Sequence, residues 1–125
     1  VRRGEKAETM SDSGDIDLDH LEKYVAGDDA LRDEILGMFA EQLGVLTERF
    51  DIDGSDEDWR DVNHALKGAA RSVGAWKLGE LCAQAEGLIG EIAGKREKRA
   101  ALMISIRGKI STTVDALEAL RANAA

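Results

Sequence analysis

Apolar residues recur every three or four positions along most of the chain, and no proline interrupts them. The clearest run is Leu31, Ile35, Phe39, Leu43, Leu46 and Phe50, a stripe along one face of a helix. Leu18, Leu21 and Val25 make a shorter run before it. Val62, Leu66, Ala69 and Val73 follow, then Leu78, Leu81, Cys82, Ala85, Leu88, Ile89 and Ile92, and last Met103, Ile106, Ile110, Val114 and Leu117. No segment shows the apolar–polar alternation of a half-buried strand. Ala, Leu, Glu and Lys are plentiful and aromatics make up only 4%, which favours helix further.

The residues between these runs set the predicted boundaries. Asp17 is placed to N-cap a short first helix that ends at Gly27, and Asp28 or Asp29 to cap the second. DIDGSDED, residues 51–58, reads as a turn, with Ser55 and Asp58 spaced as a capping box. The third helix is predicted from about Asp56 to Val73, with Gly74 breaking it. The fourth starts near Ala75, carries its stripe to Ile92 and ends at Gly94. KREKR, residues 95–99, is then the connection, its cations suited to the preceding helix C-terminus. Residues 1–15 are expected to be a disordered lead-in and 16–125 one domain, since 125 residues suffice for a single compact core. The predicted fold is all-α. Its four longer helices form an antiparallel, up-down bundle, and the short N-terminal helix lies across one end.

Charge and cysteine content remove several function classes. A net charge of -8 disfavours nucleic-acid binding. No apolar run is long enough for a membrane helix. Cys82 is the single cysteine, so no internal disulfide can form, and its place on an apolar stripe reads as a core residue. The opening VRRGEKAETMSDSGD is polar throughout, without a signal-peptide pattern, so a cytoplasmic setting is expected. Asp17-x-x-His20 and Asp61-x-x-His64 have ligand-like spacing, but a di-metal bundle needs inward-facing Glu-x-x-His pairs with further glutamates. No metal site and no resident cofactor are expected.

Candidate chemistry gathers on the third helix. At about 100° per residue, Val62, Leu66, Ala69 and Val73 define the buried stripe, and His64 falls about 160° from Val62 and from Leu66. Arg60, Lys67, Gly68 and Arg71 share its outer side. The wheel therefore gives an exposed imidazole ringed by cations, with a glycine one turn further on. An unperturbed imidazole, with a pKa of about 6.5, is largely neutral and nucleophilic at cytoplasmic pH. Cations around it suit a transferring phosphoryl group, whose charge spreads over its outer oxygens. Gly68 costs helix stability, about 1 kcal/mol relative to alanine, and leaves room for a partner to approach the ring. Trp76 falls opposite Ala85 on its helix, either as a partner contact or packed around the helix start.

The residues His64, Leu66, Lys67, Gly68, Gly74, Ala75, Leu78, Cys82 and Glu86 resemble the signature of histidine-containing phosphotransfer (HPt) domains. The sharp match spans 59–86, including Trp59 as a lead-in, and a looser helix pattern spans about 16–120. Ala69 and Ala70 stand where the family often has Ser, and Ala85 where a larger apolar residue is common.

The resemblance implies a phosphoryl carrier of a two-component phosphorelay. His64 is the expected acceptor, taking the group from a phospho-aspartate on a response-regulator receiver and passing it to another. Lys67 and Gly68 correspond to the family's lysine and glycine, and Arg71 joins them from the wheel alone. Arg60, Gly68 and Trp76 are expected to face the partner, a receiver domain or a hybrid histidine kinase. Mg²⁺ is expected on the receiver only, and the chain is expected to be a monomer. No ATP-binding or kinase motif is present, so the chain is read as a carrier rather than an enzyme. The alternative is an adaptor that binds receiver or kinase domains without carrying phosphate.

Overall fold

The computed structural model describes residues 16–124, with side chains to residue 120; the predicted lead-in, 1–15, lies outside the described residues. Five helices follow in order: α1 (Leu18–Val25), α2 (Asp29–Glu48), α3 (Asp56–Ser72), α4 (Trp76–Glu86) and α5 (Lys95–Ala124). There is no strand among the described residues. No helix is long and apolar enough to cross a membrane among them.

The first three helices start where a short polar side chain can take an orphan amide. Asp17 Oδ1 accepts from the His20 amide at 3.1 Å, Asp28 Oδ1 from Leu31 at 3.0 Å and Ser55 Oγ from Asp58 at 3.0 Å. Between α1 and α2, Ala26 and Gly27 both take left-handed φ values, 53° and 77°, which reverses the chain within a few residues.

One core joins the helices. Leu36, Phe39, Leu43 and Leu46 of α2 meet Trp59, Val62 and Leu66 of α3, Leu78, Cys82 and Ala85 of α4, and Ile106, Ile110 and Leu117 of α5. The most extensive packing is α3 on α4; α5 lies against α4 and α2, α2 against α3, and α1 against α2. The predicted α2 stripe therefore holds at Phe39, Leu43 and Leu46, but its first residue does not join the core. Leu31 is exposed, and the buried position in the early turns is Leu36. Met38 and Val45 are apolar residues on the outer side, at 63% and 58% exposure. Leu31, seven residues before Met38 and fourteen before Val45, belongs to that outer face.

Two boundaries differ from the sequence expectation. α4 ends at Glu86 rather than Gly94, and KREKR forms the first turn of α5 instead of a connection. Local geometry explains both. Gly90 and Gly94 sit at φ 83° and 69°, where a helix cannot continue. Side chains from elsewhere then take the polar backbone of 87–94. Asp56 Oδ2 accepts from the Gly90 amide at 2.8 Å, and Lys95 Nζ donates to Gly90 O at 3.0 Å. Arg99 Nε donates to Leu88 O at 3.0 Å. The new helix opens with Lys98 N donating to Gly94 O at 2.9 Å.

Arg99, on the segment expected to be a connection, is only 2% exposed. Its guanidinium lies 4.7 Å from the Trp59 ring centroid and donates to Ile52 O, Gly54 O and Asp56 Oδ1 as well as Leu88 O. The Gly90 amide first, and then the Lys95 and Arg99 charges, hold the Asp56 carboxyl below the usual carboxylate range.

At the opposite end of α3, Gly74 turns the chain at φ 82° and its carbonyl accepts from the Asp17 amide at 2.9 Å. His20 is half-buried, its Nε2 3.2 Å from Ser72 O and its ring edge-on to Trp76 at 4.8 Å.

These contacts assign opposite signs to one substitution at two glycines. A Cβ at Gly74 would meet Asp17 Cβ at 2.9 Å and would also strain a left-handed residue. Gly74→Ala is expected to destabilise the fold by about 1–3 kcal/mol. At Gly68 a Cβ would meet nothing within 4 Å among the described residues. Gly68→Ala is expected to stabilise α3 by up to about 1 kcal/mol. Urea unfolding midpoints of the two variants check both signs.

Candidate functional site

α3 presents His64 to solvent because its other faces are taken. Val62, Asn63 and Leu66 are buried, while the His64 side chain is 69% exposed. The site is completed from α4. Glu86, the last residue of that helix, reaches across to α3 with both carboxylate oxygens: Oε2 lies 2.8 Å from His64 Nδ1 and Oε1 accepts from Lys67 Nζ at 2.6 Å.

This pairing selects the tautomer of the neutral ring. A carboxylate can only accept, so His64 carries its proton on Nδ1 and donates it to Glu86. Nε2 is then the nitrogen with the free lone pair, and it belongs to an exposed ring. A carboxylate behind an imidazole holds its orientation and tautomer. Lys67, one turn along α3, pairs with that carboxylate, so its negative charge beside the ring is balanced. The Lys67 hydrogen bond chiefly, and the His64 bond after it, hold the Glu86 carboxyl below its usual range, against a desolvation that raises it.

Two of the cations expected around the ring have acidic partners of their own. Lys67 is bound to Glu86, and Arg60 Nε lies 3.6 Å from Asp61 Oδ1. The immediate partner of the imidazole is an acid. Arg60, Asp61, His64 and Glu86 line one shallow surface groove, with two acids and one cation around the ring. Arg71 lies further along α3, its stem over Gly79, where a Cβ would come within 3.1 Å of Arg71 Cγ. That contact accounts for one glycine of α4. Gly87 is its C-cap, and Gly90 has left the helix altogether. Gly68 leaves open space on the His64 side of α3. Trp76 is 45% exposed and its Nε1 donates to Asp17 Oδ2 at 2.9 Å, so its inner edge packs around the start of α1 while an outer face remains in solvent.

Glu86 is the residue whose role spacing did not reveal. It lies on a different helix from His64, and its distance in sequence, 22 residues, carries no periodic signal. Cys82, one turn before it, is fully buried; burial, with the Glu86 charge adding to it, pushes the thiol up to about 12. Among the described residues no group of three or more His, Cys, Asp or Glu side chains is placed to hold a metal ion.

Two predictions follow from these electrostatics. Because the folded-state pKa of Glu86 lies below its usual 4.5, its pairing stabilises the fold above that value, and the contribution is lost as pH falls through the folded pKa. The stability difference between wild type and Glu86→Gln is expected to shrink on acidification below pH 4.5 and to vanish once the carboxyl is protonated, which denaturant titrations across that range measure. The Cys82 thiol is expected to stay unmodified by a thiol reagent at pH 8 in the native protein and to react at once in urea.

Comparison with known proteins gives the family. The Hpt domain family model matches residues 11–123. The crystal structure of the histidine phosphotransferase ShpA from Caulobacter crescentus superposes with a TM-score of 0.55 at 33% identity, covering 86% of this chain and 96% of that one. No curated protein matches. With a family match across nearly its whole length, the chain belongs to the Hpt domain family.

Proposed function

We propose that this protein is a phosphoryl carrier in a two-component phosphorelay, and that His64 Nε2 accepts the group. The observation that carries the reading is the exposed imidazole whose Nδ1 is bound to Glu86 at 2.8 Å. In the forward step the Nε2 lone pair attacks the phosphorus of an aspartyl phosphate on a receiver domain. An N–P bond forms, the acyl O–P bond breaks and the aspartate leaves as a carboxylate. The proton on Nδ1 stays in its bond to Glu86, which offsets the positive charge on the phosphorylated ring. Transfer to a second receiver is the reverse. Lys67 balances the Glu86 carboxylate behind the ring, while Arg60, beside Asp61 in the His64 groove, and Arg71, further along α3, are the other cations of this helix. Mg²⁺ belongs to the receiver, where it neutralises phosphoryl oxygens. The setting that fits this chemistry is a cytoplasmic monomer with residues 16–125 as its phosphotransfer domain. We read the helices as an up-down antiparallel bundle of α2–α5 with α1 across one end.

The receiver's approach follows from the outer row of α3. His64, Gly68 and Ser72 are spaced four apart, and Ser72 lines a groove with Tyr24, Met38 and Val45 of α1 and α2. Apolar residues this exposed, two helical turns from His64, suit a partner's apolar surface. Trp76 and Arg60 lie beyond the two ends of that row.

Incubation with labelled phospho-receivers and Mg²⁺ tests the reading. Label is expected on wild type and not on His64→Gln, with the variant still folded, and it is expected to be acid-labile. Receivers that bind but transfer no label to wild type favour the adaptor instead. Gly68→Gln is expected to slow transfer by about tenfold or more while leaving the unfolding midpoint no lower than wild type, since its side chain enters the space left for the partner.

A further inference from the structure

Glu86 orients the ring from the end of its helix. It is the last residue of α4, whose C-terminus is followed by eight non-helical residues, 87–94. The segment on either side of it is gripped from outside. Before it, the buried indole of Trp59 donates Nε1–H to Ala85 O at 2.7 Å. After it, Arg99 donates to Leu88 O at 3.0 Å, and Asp56 accepts from the Gly90 amide at 2.8 Å. These three groups are joined to one another: Arg99 stacks on Trp59 at 4.7 Å and donates to Asp56 Oδ1 at 2.8 Å. Trp59 lies on the same helix as His64, five residues before it. The cluster thus ties the end of α4 to the stretch of α3 that carries the imidazole.

We propose that Trp59 and Arg99 are positioning residues for phosphotransfer, acting through the α4 terminus to hold Glu86 against His64 Nδ1. Neither touches the imidazole. The carboxylate must stay within hydrogen-bond distance of a ring on another helix, and a misplacement of about 1 Å turns that contact into none. A helix end left to its own capping frays on that scale. The indole N–H and the guanidinium replace that freedom with bonds to carbonyls on either side of Glu86. The consequence for rate rests on the carrier reading above; the consequence for the ring does not.

The tautomer of His64 is the readout. Free imidazole side chains in water favour the proton on Nε2, so an Nδ1–H population reports the Glu86 contact directly. The chain has only two histidines, and His20 serves as an internal reference in a long-range ¹H–¹⁵N spectrum of the full chain at pH 8. Wild-type His64 is expected to show the Nδ1–H form, and Glu86→Ala to lose it. Trp59→Phe keeps the ring and removes only the N–H; it is expected to fall between wild type and Glu86→Ala, with His20 unchanged, and to slow transfer by about tenfold. Arg99→Met is expected to move the tautomer in the same direction.

A purely structural role lowers the unfolding midpoint without changing the tautomer of the folded molecules. Trp59→Phe that is folded and keeps the wild-type tautomer overturns the proposal, whatever Arg99→Met does to folding. A Glu86→Ala spectrum identical to wild type overturns it too, because no pairing then exists to be positioned. If the tautomer responds as expected but no receiver phosphorylates His64, positioning stands and the carrier reading fails.

Discussion

The rest of the structure depends on finding partners for the Arg99 guanidinium. A cation at 2% exposure has lost nearly all of its water, at a cost of several kcal/mol unless charge and hydrogen bonds replace it. Here the Trp59 ring covers one face, three backbone carbonyls accept from its edges and Asp56 supplies the opposite charge. Those partners come from three separate parts of the chain. Ile52 and Gly54 are in the turn before α3, Asp56 is its first residue, and Leu88 follows α4. One desolvated side chain therefore fixes where α3 begins, where α4 stops and how α5 enters the domain.

The chemistry inherits this arrangement. α3 contributes a ring and a lysine, and α4 contributes the carboxylate that bridges them. Neither helix alone makes a site. His64 without Glu86 is an ordinary surface histidine, free to take either tautomer. With it, the ring offers one defined nitrogen to solvent, and Lys67 keeps the added acid from leaving the neighbourhood net negative. Gly68 completes the arrangement by omission: it gives up helix propensity, and the space beside the ring stays open.

Much of this was legible in the sequence. Asp17, Asp28 and Ser55 announced helix starts because an N-cap is a local interaction, readable from a few adjacent residues. His64 was placed outward because the apolar stripe of Val62 and Leu66 leaves it no other side. What failed depended on distant partners. The end of α4 was overrun because Leu88, Ile89 and Ile92 continue the helical spacing, while the groups that claim its backbone, Asp56 and Arg99, are 34 and 11 residues away. KREKR looked solvated because five charged residues usually are; only the Trp59 face and three free carbonyls make Arg99 a core residue. Leu31 looked buried because periodicity finds an apolar face without saying whether the protein's own core covers it. Glu86 stood within the family pattern, yet its contact with His64 exists only after α3 and α4 have packed.

The central claim is that Glu86 holds the Nδ1 proton and so makes Nε2 the nitrogen that carries phosphate. The most direct measurement is ³¹P–¹⁵N correlation on phosphorylated, ¹⁵N-histidine-labelled protein at alkaline pH, where phosphohistidine persists. The account predicts a one-bond phosphorus coupling to His64 Nε2, with the proton still on Nδ1. Coupling to Nδ1 would contradict it, because the Glu86 contact would have to break for that nitrogen to react.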